Sequence, residues 1–387
     1  MKKKFIFIVV LILSIVSLTG CWDSVELNQR EIVSAIGIDK GDEKGSIIVT
    51  FQSIIPERAS TPLRSASEKS NIHVVSVTAK SITDSLVKYN KRTSKTPEFQ
   101  HNRIYVIGED LAREGVNSFI DGIFRTYEFR SRGWVLVCKG KASDILHKKV
   151  EATPIPADYI VNLITTSNHV ATVPTETLHT FLMKLSSKTT SPVVTQIEIE
   201  DPKEGNAADI GYNGCGVFKK DKLVGWLNMN ETRGLLWITN EIGRGVLLSG
   251  YPGTASENIS EQIVRSKVKI NPKMINGKIM ISLDIWEEGE IRENDKGADI
   301  NSPESIKALE DGFAAEIKKE VKESLQKIQK EYKTDIVGFG SKIHKKFPSQ
   351  WKNIESKWDE VFPEIEVEVN VEVKLSNTGK IINSITP

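Results

Sequence analysis

The sequence predicts an α+β fold of more than one domain, with mixed and antiparallel sheets covered by helices. Three patterns lead there. Short β-branched runs alternate with stretches of helical period through the first half of the chain, a long amphipathic stretch runs from Ser302 to Tyr332, and the segment 364–375 alternates strictly between polar and aliphatic residues. The 387 residues suffice for two or three separate cores.

The chain opens with an address. Met1 to Lys4 is basic, and Phe5 to Val16 is apolar except for Ser14, followed by Ser17, Leu18, Thr19, Gly20 and Cys21. A spanning helix needs about 20 apolar residues, so this run reads as a cleaved export signal over 1–20. Leu18 to Cys21 resembles a bacterial lipobox, in which the thiol of Cys21 takes a diacylglyceryl group and ties the mature chain to a bilayer. Two acyl chains, at about 0.8 kcal/mol per buried methylene, hold a protein on a membrane without a polybasic patch. Cleavage removes three lysines and no acid, so the formal charge falls from +1 to −2.

The elements follow in order. Ile32 to Ile38 and Ile47 to Ile55 flank a turn-rich Asp39–Gly45 and predict a hairpin. Pro56 to Asn71 reads as an exposed loop, followed by a strand near His73 to Thr78. Ile82, Leu86 and Tyr89 predict a helix, Ile104 to Ile107 a strand, Leu111 to Phe124 a helix and Trp134 to Cys138 a strand. Helical pieces around Tyr159 to Ile164 and Thr177 to Leu185 bridge to a second unit with strands at Val193 to Ile199, Val217 to Lys219 and Leu223 to Leu227, read as a small sheet of their own. Val268 to Ile275 and Lys278 to Ile285 flank Asn276-Gly277, which suits a type I′ hairpin turn. Ser302 caps a helix with Pro303 at its first position, and Ile306, Leu309, Phe313, Ile317, Val321, Leu325, Ile328 and Tyr332 mark its apolar stripe. Ile365 to Leu375 forms the last strand, one face buried and one acidic face wet. This gives a signal peptide over 1–20, an α/β domain over 21–190, a small β-rich domain over 191–255 and an α+β domain over 256–387.

Composition and spacing narrow the chemistry. With 39% apolar and 27% charged residues the mature chain is globular, and 52 basic against 51 acidic side chains leave no footprint for nucleic acid. The six histidines are scattered without metal-ligand spacing, and the glycines near Gly211 and Gly243 lack the phosphate-loop pattern, so no metal and no cofactor is expected. Asp295, Asp299 and Asn301 lack the rest of a calcium loop. Cys138 and Cys215 are read as unpaired.

The residues after the lipobox carry a resemblance. Gly20-Cys21-Trp22-Asp23, Glu26-Leu27-Asn28 and Gly37-Ile38-Asp39 resemble the start of the Ger(x)C spore germination lipoproteins. The likeness continues through Gly108-Glu109, Arg113-Glu114-Gly115 and the run Asp121 to Arg130, then Val217-Phe218-Lys219, Asp221 to Leu227, Glu231-Thr232-Arg233-Gly234 and Trp237. It closes with Tyr332, Asp335, Gly338-Phe339-Gly340, Pro348, Trp351, Trp358 and Phe362-Pro363, and so covers nearly the whole chain.

The resemblance implies an elongated, non-enzymatic lipoprotein subunit of a nutrient germinant receptor. It would sit on the extracytoplasmic face of the spore inner membrane, held through lipidated Cys21 beside two integral-membrane receptor subunits. Direct binding of a small-molecule germinant is not implied. A solute-binding lipoprotein of a transporter and an exported hydrolase are the alternatives that export and size allow. Arg125, Glu128, Arg130 and Arg132 read either as a docking cluster or as a structural ion-pair network.

Overall fold

A computed structural model describes residues 2–7, 26–56, 72–126, 128–150, 153, 155–170, 172–200, 209–249, 259–294 and 302–377. Leu18 to Cys21, residues 57–71 of the expected loop, and Asp295, Asp299 and Asn301 lie outside the described residues. Among the described residues no helix is long and apolar enough to cross a membrane.

The first half is built on β1 (Arg30–Lys40), β2 (Ile47–Ile54), β3 (Ile72–Ala79), α1 (Ile82–Asn90), β4 (Thr96–Glu98), β5 (Ile104–Gly108), α2 (Glu109–Glu114), α3 (Asn117–Arg125), β6 (Trp134–Cys138), α4 (Ala142–His147), α5 (Pro156–Val170), α6 (Leu178–Leu185), β7 (Val193–Ile199), β8 (Ile210–Lys219) and β9 (Lys222–Leu227). The strands form one nine-stranded sheet in the order β3-β2-β1-β5-β6-β7-β8-β9, with β4 beside β1. Its centre is parallel and both ends are antiparallel. Hairpins can join antiparallel neighbours, whereas parallel strands need a crossover, so the helices gather on the central strands. Apolar residues of α1, α2, α3 and α6 pack on one face and those of α4 and α5 on the other.

Two expectations change here. The single helix over Leu111 to Phe124 is two helices, because Gly115 leaves the helical region at φ +134° and turns the chain. The strands expected to make a small sheet of their own within 191–255 instead extend the first sheet, since β7 finds its parallel partner in β6, Leu136 standing opposite Thr195.

The second half contains α7 (Met229–Thr239), β10 (Val246–Ser249), β11 (Ile259–Ile275), β12 (Lys278–Asn294), α8 (Pro303–Leu325), α9 (Phe339–Lys346), α10 (Pro348–Ile354), α11 (Trp358–Val361) and β13 (Glu366–Asn377). Its sheet runs β10-β11-β12-β13, and β13 lies parallel to β12 because α8 carries the chain back across the sheet. Asn276 and Gly277 take φ of +51° and +77°, as a type I′ turn demands. Ser302 accepts from Ser305 N–H at 3.1 Å to cap α8, Pro303 follows, and a π-helical turn over Gln326–Glu331 extends it. Leu309, Phe313, Ile317, Val321 and Leu325 of α8 are buried against the sheet together with Val369 and Val373 of β13. That same core takes in Val193, Cys215, Val217 and Leu227 of the first sheet, so the two halves share one apolar interior.

Candidate functional site

Motif residues of the later part of the chain, from Gly225 onward, gather at and behind the joint between the two sheets. Gly225 of β9 has no side chain because the ring of Tyr332 lies against it, and a Cβ there would collide with that ring. The Tyr332 hydroxyl donates to the Trp226 carbonyl at 2.7 Å and accepts from the Trp226 N–H at 3.1 Å. Edge strand and C-terminal segment are thereby paired as though Tyr332 were a further rung of the sheet. Nearby, the Ser191 N–H donates to the Asp335 carbonyl at 2.8 Å and Lys219 Nζ donates to the Lys333 carbonyl at 3.1 Å.

A second contact locks α7 to α8. Asn228 and Glu231 form a reciprocal cap that starts α7 immediately after β9. Gly234 then lets the helices approach until a Cβ would strike the Glu320 carbonyl. Arg233 Nε donates to Glu320 Oε1 at 2.8 Å and Trp237 Nε1 donates to Glu320 Oε2 at 3.2 Å. Burial pushes the Glu320 carboxyl up, while Arg233 and Trp237 hold it down. A fully buried acid is thus given a cation and a neutral donor.

The third part is a turn held by one carboxylate. Asp335 accepts from the N–H groups of Val337, Gly338, Phe339 and Gly340 at 3.1, 2.7, 3.2 and 2.8 Å. Burial still pushes it up to about 6. Gly338 takes φ +76°, and Gly340 admits the indoles of Trp358 and Trp351, 2.9 and 3.1 Å from where its Cβ would stand. Those rings meet edge to face at 5.1 Å, with His344 stacked on Trp351 at 5.6 Å. Below the turn, a recess of about 600 Å³ between the halves is lined by Lys188, Thr190, Lys219, Asp335, Glu355 and Trp358, among others.

Beside it runs a groove of about 550 Å³ between α3 and α6, where Phe124 and Met183 are 60% and 62% exposed. Arg125 pairs with Asp121 one turn earlier at 2.7 Å on the same helix, and Arg130 enters through its carbonyl, which accepts from the Tyr105 hydroxyl at 3.0 Å. Among the described residues, Arg125, Glu128, Arg130 and Arg132 do not assemble into one ion-pair network.

Of the sequence-predicted residues, Cys21 lies outside the described residues, so its lipidation stays an expectation. Gly37 and Asp39 serve the first sheet: Gly37 admits Leu146 and Ala142, and Asp39 accepts from the Ala142 and Ser143 N–H groups at 2.7 and 2.9 Å to start α4. Cys138 and Cys215 are free and buried, and burial pushes both thiols up, Cys215 to about 12. Among the buried acids that sequence reasoning missed are Glu261 and Glu287. The second was readable: Ile281, Leu283, Ile285, Glu287, Gly289 and Ile291 share one parity, and Glu287 stands on the apolar side.

Comparison with known proteins covers both halves. Residues 23–199 match a family profile described as spore germination protein N-terminal domain, and residues 213–379 match one described as spore germination B3/GerAC like, C-terminal. Spore germination protein KC of Bacillus subtilis (strain 168) is 30% identical, the alignment covering 98% of this chain and 97% of that protein. Spore germination protein B3 of the same organism is 25% identical, over 96% of this chain and 97% of its own length. A crystal structure of the GerBC protein has a similar fold, with a TM-score of 0.55 at 22% identity, spanning 88% of this chain and 97% of that one.

Proposed function

The chain belongs to the Ger(x)C family of spore germination proteins, and from that premise we propose that it is the membrane-anchored lipoprotein subunit of a spore nutrient germinant receptor. It works without catalysis, as a scaffold or signal-transmitting body. Cys21 carries the diacylglyceryl anchor, the body sits on the extracytoplasmic face of the spore inner membrane, and two integral-membrane subunits are its partners. The observation that supports this reading best is the packing at and behind the joint: Gly225 of the first half takes the ring of Tyr332 from the second, while within the second half Gly234 brings α7 onto α8 at Glu320 and Gly340 seats the tryptophans. Such a joint makes one stiff unit of two sheets, which is what passing a displacement from partner to partner requires.

Two measurements test it. Spores lacking the gene and its related copies should fail to respond to nutrient while still germinating with a receptor-independent trigger; a normal nutrient response would defeat the role. Cys21→Ala should abolish acyl labelling and shift the protein from the membrane fraction, and unchanged labelling would remove the anchor from the proposal.

A further inference from the structure

Two carboxyl groups in the second half take no part in the joint. Glu261 of β11 and Glu287 of β12 are fully buried, and among the described residues none of their four carboxyl oxygens has a hydrogen-bond partner. Backbone pairing puts both on the apolar face: Glu261 lies between Leu247 and Ile291, and Glu287 between Ser266 and Val373. Gly289 sits between them, paired with Ile263 and Leu375. A Cβ on Gly289 would collide with Glu261 Oε2 and stand 3.1 Å from Glu287 Oε1, so the two carboxyls meet in the space that its missing side chain leaves.

Among the described residues the surroundings supply no compensating charge. From α8 comes Glu310, whose carboxylate accepts the Leu375 N–H at 3.1 Å and has Lys307 Nζ at 4.0 Å; Lys307 itself lies 2.9 Å from Asp311. Along β12, Glu288 is bonded to Arg265 of β11 at 2.6 Å and Glu290 lies 3.5 Å from Arg292. Lys374 of β13 stands opposite Glu288, at the parity opposed to Val373 and Leu375. Strand β10 brings only Val246, Leu247, Leu248 and Ser249, and Arg233 of α7, which reaches the Val246 carbonyl, is held by Glu320. Burial pushes Glu261 up to about 8, with Glu310 adding to it, and Glu287 up to about 9, with Glu261 and Glu288 adding. Two ionised carboxylates buried side by side with no cationic side chain beside them among the described residues repel each other and lose their hydration, and a bound proton relieves both costs.

We propose that Glu261 and Glu287 form a proton-binding pair that keeps the second sheet closed beneath the first turns of α8 and loosens it when the proton departs to solvent. The sign follows from linkage. Both groups titrate near 4.5 when exposed, so the folded state holds more protons than the unfolded one from there up to about 8 and 9. The pair's contribution is complete below that window and is lost as pH rises through it.

The test is hydrogen exchange by mass spectrometry on the full-length protein, corrected for the intrinsic pH dependence of exchange, from about pH 6 to about pH 9.5. Protection of α8, β11 and β12 should fall by up to about tenfold per pH unit for each titrating group, relative to β5 and β6 in the first sheet. Glu261→Gln combined with Glu287→Gln should flatten that dependence. A wild-type profile in which both sheets change together, or a double variant with the wild-type slope, would overturn the proposal. Should the double variant fail to fold, infrared difference spectroscopy on the wild type decides: a protonated-carboxyl C=O band at neutral pH that vanishes at alkaline pH is required, and its absence overturns the pair. Loss of the pH slope on adding potassium or magnesium at constant ionic strength would assign the site to a metal cation and equally overturn it.

Discussion

Glu320 shows what one residue in this protein answers to. It lies on a helix whose outward positions are charged, yet it is 1% exposed, because Gly234 brings α7 close enough for Arg233 and Trp237 to reach it. Arg233→Met would leave that carboxyl buried with only the indole donor, at a cost of about 3 kcal/mol, the lower end for a broken buried pair since Arg233 itself is 28% exposed. A drop in melting temperature on the order of 4 °C is the expected reading by thermal unfolding of a chain of this length. Adding Glu320→Leu should recover part of it, because the orphaned charge goes. Asp335 works on the same principle with backbone donors in place of a cation, one carboxylate organising four N–H groups into the turn that seats Trp351 and Trp358. The first role was not readable in advance, because a motif places Arg233 in order along the chain but its partner Glu320 stands 87 residues away, whereas Asp335 binds N–H groups of its own motif, two to five residues on.

At the scale of elements, what was legible is what local periodicity encodes. The α8 stripe, the alternation of β13, the Asn276-Gly277 turn and the Ser302-Pro303 start all stand where the sequence puts them. Phe313 is fully buried on the stripe and Lys318 is exposed on the back of the same helix. Phe313→Ala should therefore cost about 3–5 kcal/mol, and Lys318→Ala should stay within about 0.5 kcal/mol, both read by denaturant unfolding. Equal losses at the two positions would mean that α8 does not lie on the sheet by that face. Strand lengths were less legible: β11 and β12 each run 17 residues, well beyond their aliphatic centres, because Glu261, Glu287 and the bulges near Ser260 and Ile263 interrupt the pattern but not the hydrogen bonding.

For the whole molecule, the shared core couples the strands of the first sheet nearest the joint, β8 and β9, to α8. Tyr332→Phe removes both hydrogen bonds to Trp226 and leaves the ring on Gly225, so a loss of about 1–2 kcal/mol is expected. Hydrogen exchange should show it in β8 and β9 as well as in α8; a loss confined to the C-terminal half would mean that the joint does not couple them. By itself, the sequence determined the family resemblance, the α+β class, and the helix and strands whose hydrophobic period is a property of neighbouring residues, and it raised the expectation of an export signal with a lipobox. Only the tertiary structure decided that β7 to β9 complete the first sheet, that the motif glycines are points of close packing, Gly225 against the other half and Gly234 and Gly340 within their own, and that two acids are buried together over Gly289. The division has a physical cause. Periodicity and turn preference act over a few residues, whereas strand pairing, helix crossing and the burial of a charge depend on which distant segment arrives beside it.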